Sequence, residues 1–495
     1  MRVPSRDVKE GIFMVVGDQS SVLSGQSAAS KGEPGPSYSI TMRVGAPSST
    51  SILADLSRSV GVTDAVVVAV DLVGVDPNGA TVDISFHARD DDHVHSVATA
   101  LEGAGYAVRH ISDRTFLSHL GGTISVVPNT PIRTRDDLSI AYTPGVARIA
   151  SAIAATPDSA WNLSIKGNSV AIVTNGSAVL GLGNLGPLAA LPVMEGKAAI
   201  FKTFGGINAY PLCLDAHSAD EIVSATKAIA PGFGGINLED IAAPTCFEVE
   251  ARLQTELDIP VFHDDQHGTA IVVLAGLINA CRVKAKRLSD LRAVVVGIGA
   301  AGHAISETLL AAGVGDLIAV DTDGPLSSKN SRREHHVALA RRSNLGGYRT
   351  LEEALDGADV FIGVARRGSI DPMLLNKMVP EPIIFALSNP DPEALPNEVP
   401  HGAILATGRS DLPNQINNAL CFPGFFRGCL DARAKRVTPA MKHAAAEALA
   451  DAVSDAERHI GVIIPSLFSA DVHNLVASAV QAAAEADLVS NSSSG

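Results

Sequence analysis

The chain has 495 residues, 46% of them hydrophobic and 18% charged, with a formal net charge of −15. That length predicts about two to four domains. The composition excludes wholesale disorder, and the acidic balance excludes a general nucleic-acid binder without arguing against a small anionic substrate held in a local field. No uninterrupted apolar run looks long enough to span a bilayer. The five cysteines (Cys213, Cys246, Cys281, Cys421, Cys429) are odd in number and lack CxxC spacing, which reads as free thiols in a reducing cytoplasm.

Residues 1–36 are rich in Ser, Gly and Gln and end in Gly32-Glu33-Pro34-Gly35-Pro36, the composition of a mobile leader. Tyr38–Val44 then alternates as a strand, and Ser49–Val60 places Ile52, Leu53, Leu56 and Val60 at helical spacing. Thr63–Val73 and Ala80–His87 read as strands around the turn Asp76-Pro77-Asn78-Gly79. Asp91–Gly103 reads as a helix and Ala107–Asp113 as a closing strand. The order βαββαβ predicts a small ferredoxin-like unit over 37–120. It resembles an ACT regulatory domain, including the turn Gly61-Val62-Thr63-Asp64. The resemblance implies pairing and a small effector at the shared edge; a plain dimerisation module has the same pattern.

The next region, 121–263, carries Ala141-Tyr142-Thr143-Pro144-Gly145-Val146 on a loop entering a helix. A strand over Val170–Thr174 is followed by Gly181-Leu182-Gly183-Asn184-Leu185-Gly186-Pro187, then by a helix bearing Met194–Lys202. Asn208–Asp215 is a strand, Ser218–Ile229 a helix with Ser218 as N-cap, and Ile259–Asp264 a strand whose end delivers acidic residues. Thr269–Val283 is a strongly apolar helix. Over 264–417, Arg292–Val296, Leu317–Asp321, Val360–Val364, Ile383–Ser388 and Ile404–Thr407 alternate with helical stretches, the mark of a doubly wound parallel sheet. Pro439–Ser454 and Asp471–Glu485 are Ala-rich helices, and 488–495 is expected to be a disordered tail.

Val296-Gly297-Ile298-Gly299-Ala300-Ala301-Gly302 is GxGxxG directly after a strand and before a helix, the context in which that motif is specific. Gly297 permits the tight turn, Gly299 the approach of backbone to a pyrophosphate, and Gly302 close packing of helix on strand, with Ala300 and Ala301 lining the same turn. Asp321 ends the second strand where a ribose hydroxyl would bind, and Asp323 adds negative charge that repels a 2′-phosphate. The prediction is NAD, with Lys329, Arg332 and Arg333 leaving NADP open. Gly181–Gly186 is a second GxGxxG without an acidic ribose partner and reads as a tight loop.

Glu239-Asp240 and Asp264-Asp265 sit just ahead of this fingerprint, and acidic pairs at strand ends converge in α/β sheets. Such an oxygen-only set suits Mg²⁺ or Mn²⁺. Zinc through His263 and His267 is disfavoured, because Gly268 and a position ahead of the helix break helical spacing and no Cys is near. A cation beside a dinucleotide predicts oxidation of a chelated hydroxy acid.

Together Ala141–Val146, Val193-Met194-Glu195-Gly196-Lys197, Asn237-Leu238-Glu239-Asp240-Ile241, Asp264-Asp265-Gln266-His267-Gly268-Thr269-Ala270, Ser388-Asn389-Pro390 and Asn414-Gln415-Ile416-Asn417-Asn418 resemble the malic enzyme family, in its order, over about 121–487. The resemblance implies a short bacterial form with an added N-terminal unit, in which 418–487 returns to the catalytic domain of 121–263. It implies oxidative decarboxylation of L-malate to pyruvate and CO₂ by a homo-oligomer. Tyr142 is then the general acid, Lys197 the general base and a substrate contact, and Glu239, Asp240 and Asp265 the metal ligands. Asn389 contacts cofactor and substrate, and Asn417 and Asn418 contact substrate. Where animal relatives carry a carboxylate-gripping Arg before the glycine loop, this chain has Val179. A base at Lys197 requires a pKa depressed by the cation and by burial. The alternatives are a malolactic reaction that recycles NAD, and a ligand-sensing binding protein on an inactive scaffold.

Overall fold

The computed structural model describes residues 34–492 apart from 48, 77, 78, 328–330, 332, 390 and 470. The leader up to residue 33, the tip of the Asp76–Gly79 turn, Lys329 and Arg332 lie outside the described residues. The chain falls into two compact units that divide between Leu120 and Gly121.

In the first unit, β1 (Ser39–Ala46), α1 (Ile52–Gly61), β2 (Val66–Asp76), β3 (Gly79–His87), α2 (Asp91–Gly103), β4 (Ala107–Asp113) and the short α3 (Arg114–Ser118) follow in order. The sheet runs β2-β3-β1-β4, with each paired strand antiparallel. Residues of β3 alternate between buried and half-buried, so Val82, Ile84 and Phe86 face the helices. They meet Leu56 and Val60 of α1 and Val97 and Leu101 of α2 in one core. Asp90 caps α2 by accepting from the His93 N–H.

The second unit opens on an arm: α4 (Arg135–Ala141), α5 (Gly145–Ala155) and α6 (Ala160–Leu163) contain no buried residue. Against expectation, Arg135–Ala155 has the length and mean hydropathy (1.2) of a bilayer span. It is two helices rather than one, broken at Tyr142-Thr143-Pro144, and it carries Arg135, Asp136, Asp137 and Arg148.

A four-stranded sheet then forms in the order β6-β5-β7-β8. It is built from β5 (Ser169–Thr174), α7 (Pro187–Gly205), β6 (Asn208–Cys213), α8 (Ala219–Ile229), β7 (Gly235–Leu238), α9 (Thr245–Glu256) and β8 (Val261–His263). All its pairings are parallel. Ser218 caps α8 in a reciprocal box with Glu221.

The long helix α10 (Asp264–Lys284) leads to a six-stranded sheet of order β11-β10-β9-β12-β13-β14. Its strands are β9 (Arg292–Val296), β10 (Asp316–Asp321), the edge pair β11 (Gly324–Pro325), β12 (Val360–Gly363), β13 (Ile383–Ala386) and β14 (Ile404–Thr407). All pairings are parallel except β11 on β10. Helices α11 (Ala300–Ala311), α12 (Glu334–Ala340) and α13 (Leu351–Leu355) connect them. The order reverses between β9 and its neighbours, which opens a crevice beyond their carboxyl ends.

The C-terminal helices α14 (Phe422–Asp431), α15 (Pro439–Asp451), α16 (Asp455–His459) and α17 (Val472–Ser492) complete the unit. Phe422 and Phe425 of α14 pack on Phe201 of α7 and Phe262 of β8, each with ring centroids 4.6 Å apart. The last helix passes the expected end at Glu485 and runs to Ser492, into the segment expected to be a disordered tail.

Candidate active site

The acidic residues converge because two neighbouring parallel strands end side by side. Leu238 of β7 is in register with His263 of β8, so Glu239-Asp240 and Asp264-Asp265 leave the sheet together. One oxygen from each of Glu239, Asp240 and Asp265 lies within 4.8 Å of the others, the only such group of potential ligands among the described residues. Asp240 holds a left-handed backbone (φ 51°), a conformation an Asp tolerates better than most residues and one found at functional turns. Its N–H donates to Asp265 Oδ2 at 2.9 Å.

The acidic residues after β8 differ from expectation in one respect. Asp264 and Asp265 form the first turn of α10 rather than the end of a strand, and His267 and Gly268 lie inside that helix. Gly268 is tolerated there because the Asp264 carboxylate folds back over it, into space a Cβ would fill. Helical spacing is therefore intact. What keeps His267 from ligating is its hydrogen bonding to Glu250 and Lys442.

Lys197 comes from α7 and is 7% exposed. Its Nζ lies 2.6 Å from Glu239 Oε2, touches Asp264 Oδ2, and sits 4.4 Å from the centre of the Phe422 ring. The expected depression of its pKa presupposes a bound cation, and the ion-free site sets the opposite balance. Burial alone pushes the ammonium down, but Asp264, Glu239 and Asp265 together hold it above its ordinary value. The carboxylates pay the converse cost of crowding. Burial first, then Asp265, raises Glu239 and raises Asp240 to about 7, and burial raises Asp264 against the pull of Lys197. Asp240 Oδ2 and Asp264 Oδ1 are buried without a hydrogen-bond partner. Buried acceptors of this kind are rare unless something else satisfies them. An oxygen-only, charge-crowded pocket with orphaned acceptors fits a hard divalent cation.

Tyr142 is placed differently. It ends α4 on the arm, its side chain is 66% exposed, and among the described residues it makes no side-chain hydrogen bond to Lys197 or the acidic group. Val179 is buried inside the Gly181–Gly186 loop, its N–H donating to Gly183 O at 2.9 Å, so no basic side chain reaches out from that position. That loop is tight: Gly181, Gly183 and Gly186 all hold positive φ, and Gly186 precedes the first residue of α7. A Cβ on Gly181 would stand 3.1 Å from the Asn389 carbonyl, which brings this loop against the end of β13. Asn418 packs against Gly268 beside Asp264, whereas the Asn417 side chain caps its own turn by accepting from the Ala419 N–H. Asn414 is structural, bonding Leu405 O, Gly461 O and the Ile463 N–H.

At the crevice Gly297 turns with φ 96°, and a Cβ there would stand 2.8 Å from that of Ala365 after β12. A Cβ on Gly302 would overlap the Gly297 carbonyl. Gly299 leads into α11, whose first residues are Ala300 and Ala301, so backbone N–H groups face the crevice. Asp321 ends β10. His336 Nε2 lies 3.1 Å from the Ile298 carbonyl and 3.7 Å from Asp321 Oδ2, linking the glycine turn to the acidic residue.

Asp264 was expected only as a member of the acidic set and not as the direct partner of Lys197. Adjacent residues on a helix point about 100° apart, so a pair of acids at a helix start can serve two partners, and that was the available signal. Glu250 carried no local signal, since its partners lie 13–17 residues away.

Residues 121–254 match the malic enzyme N-terminal domain and residues 266–485 the malic enzyme NAD binding domain. The chain is 47% identical over 456 residues to the NAD-dependent malic enzyme of Geobacillus stearothermophilus, covering 91% of this chain and 95% of that one. It is 45% identical to the bifunctional malic/malolactic enzyme of Bacillus subtilis, covering 73% of this chain and 90% of that one. The crystal structure of an NAD-dependent malic enzyme from Thermotoga maritima superposes with a TM-score of 0.72 at 44% identity, over 75% of this chain and 99% of that one. With both domains matched over most of the chain and a full-length relative at 47% identity, the chain belongs to the malic enzyme family.

Proposed function

We propose that this protein oxidatively decarboxylates L-malate to pyruvate and CO₂ with reduction of NAD, at a site formed by Lys197, Asp264 and the acidic group Glu239, Asp240 and Asp265. The observation that carries the reading is the Lys197 ammonium set directly against those carboxylates, at the start of the helix that leads into the nucleotide sheet. Mg²⁺ or Mn²⁺ held by Glu239, Asp240 and Asp265 would supply Lewis acidity to the 2-hydroxyl and its adjacent carboxylate. Lys197 passes its resident proton to Asp264, the carboxylate it touches, and takes the 2-hydroxyl proton as hydride leaves C2 for the nicotinamide. Loss of CO₂ from the β-keto acid leaves an enolate. Protonation of that enolate at C3 is assigned to Tyr142 on its motif alone, and it requires the exposed arm to bring the hydroxyl to Lys197, which returns the proton. Asn389 and Asn418 orient the substrate carboxylates in place of the absent Arg, with Asn417 supporting the turn between them.

NAD is favoured over NADP by the carboxylates of Asp321 and Asp323, which repel a 2′-phosphate. A homo-oligomer belongs to the same reading, supported by the exposed apolar side chains Leu138, Ile140, Val146 and Ile149 on the helices that flank Tyr142. The N-terminal unit is assigned an ACT-like regulatory role with a small effector, supported by its βαββαβ order. A reducing, cytoplasmic setting is supported by free thiols at Cys213, Cys246, Cys281, Cys421 and Cys429.

The test is malate-dependent NADH formation followed at 340 nm with Mn²⁺, abolished by EDTA and by Lys197→Ala. Malate consumed without NADH accumulation would select the malolactic reaction, which the bifunctional Bacillus subtilis relative makes a specific second reading. No malate consumption with either metal would overturn both.

A further inference from the structure

Glu250 lies on α9, is 6% exposed, and belongs to none of the groups assigned above. A buried carboxylate is costly unless it is fully paired. Here every partner comes from one short segment. Glu250 Oε1 accepts from the His263 backbone N–H at 2.9 Å. Oε2 accepts from His267 Nε2 at 2.9 Å and from Gln266 Nε2 at 3.3 Å. Between those partners stand Asp264, which touches Lys197, and Asp265, one of the acidic triad.

The network extends one residue further. Lys442 of α15 lies with its Nζ 3.0 Å from His267 Nδ1. The same Nζ lies 3.3 Å from His267 Nε2, so the ammonium sits against the ring whose Nε2 faces Glu250. The His267 ring is thereby held between an anion on α9 and a cation on α15. Burial alone would push the Glu250 carboxyl up, but His267, then His263 and Lys442, outweigh it and bring it down to about 2. The anion is therefore present throughout the range in which an enzyme works.

We infer that Glu250 is a positioning residue for the divalent cation, fixing the first turn of α10 so that Asp265 faces the ion while Asp264 faces Lys197. Glu250 itself touches neither ion nor substrate. Partners that orient metal ligands in this way are worth about 10–100-fold in metal affinity. This inference rests on the proposed metal site, and the experiment separates the two.

Mn²⁺ and NAD are titrated separately by calorimetry into the full-length wild type, Glu250→Gln and Lys442→Met. Glutamine keeps one acceptor oxygen but sets an amide NH₂ against a ring N–H or a backbone N–H, so the brace is lost without a change of volume. The expected result is a Mn²⁺ Kd raised about 10–100-fold in Glu250→Gln, a smaller rise in Lys442→Met, and NAD affinity unchanged in both. The KM for Mn²⁺ should rise more than kcat at saturating Mn²⁺ falls. Wild-type Mn²⁺ affinity in Glu250→Gln overturns the inference, and so does a parallel loss of NAD affinity, which would mark general damage. Should Glu250→Gln fail to fold, Lys442→Met decides, with unchanged Mn²⁺ affinity counting against. A wild type that binds no Mn²⁺ would remove the metal site itself, and the inference with it.

Discussion

Lys197→Met removes one charge from a place where the structure says charge matters most. Methionine keeps an unbranched stem against the Phe422 ring but withdraws the ammonium from Glu239 and Asp264, both buried. Breaking a buried pair costs about 3–5 kcal/mol. Part of that returns as the carboxyls, already raised by burial, take up protons, so a loss on the order of 2 kcal/mol remains in the metal-free protein. For a domain of a few hundred residues this lowers Tm by roughly 4–8 °C. Mn²⁺ supplies positive charge to the same carboxylates, so the rise in Tm on adding Mn²⁺ should be larger in the variant than in the wild type. Turnover should fall by about 10²–10⁴-fold, the usual contribution of a positioned acid–base group. Thermal melts in EDTA and in Mn²⁺, beside a 340 nm assay, report all of these quantities. Turnover within tenfold of wild type, or an identical Mn²⁺ response, would show that Lys197 does not share its carboxylates with the ion.

Gly268→Ala adds a Cβ where the Asp264 carboxylate lies, and a displacement of about 1 Å there should cost on the order of 100-fold in kcat with NAD affinity unchanged, checked by steady-state kinetics and calorimetry. Asp321→Ser removes the carboxylate at the end of β10, and the NADP-over-NAD ratio of kcat/KM should rise by about fivefold, since even partly screened repulsion is worth about 1 kcal/mol; an unchanged ratio would place the ribose elsewhere. Glu250 has a folded pKa of about 2, below its ordinary 4.5, so its contribution is fully present above pH 4.5 and is lost as pH falls toward 2. The shift corresponds to about 3 kcal/mol. Acid titrations followed by circular dichroism should therefore separate wild type from Glu250→Gln most clearly above pH 4.5 and bring them together near pH 2.

The sequence showed most plainly what depends on local pattern. The alternation of β3, the glycine turn at Gly297–Gly302 and the cap at Ser218 are each fixed by neighbours within a few residues, and each is found as read. The acidic triad was legible for a different reason, since parallel strands deliver their carboxyl ends to one edge whatever lies between them. What local pattern could not give was the onset of α10. Asp264 and Asp265 are weak helix formers read alone, yet the helix dipole favours acids in its first turn, and Glu250 holds that turn through a contact distant in sequence. For Lys197 local pattern suggested burial and a cation but not the carboxylates in contact with it, which outweigh burial while the site is free of an ion. The exposure of Tyr142 could not be anticipated either, since an apolar arm reads the same in sequence whether or not its own chain covers it.

One helix explains why the acidic site and the nucleotide crevice can cooperate. The first turn of α10 is tied to the four-stranded sheet through β8 and through Glu250. Its body, from Ala270 to Ala280, is packed in the same core as β9, β12 and β13 of the nucleotide sheet and as α14, α15 and α17. Asp265 is thus referenced to both sheets at once, while Glu239 and Asp240 are referenced to the four-stranded sheet through β7. A bend within the first turns of α10 would separate Asp265 from Asp240, whose N–H it accepts, and would pull Asp264 from Lys197. Any closure around a substrate would therefore have to pivot outside that segment, on connections that carry none of these side chains. An ion held there would meet the nicotinamide with its geometry already set, which is the condition under which preorganised charge lowers a barrier rather than merely binding a ligand.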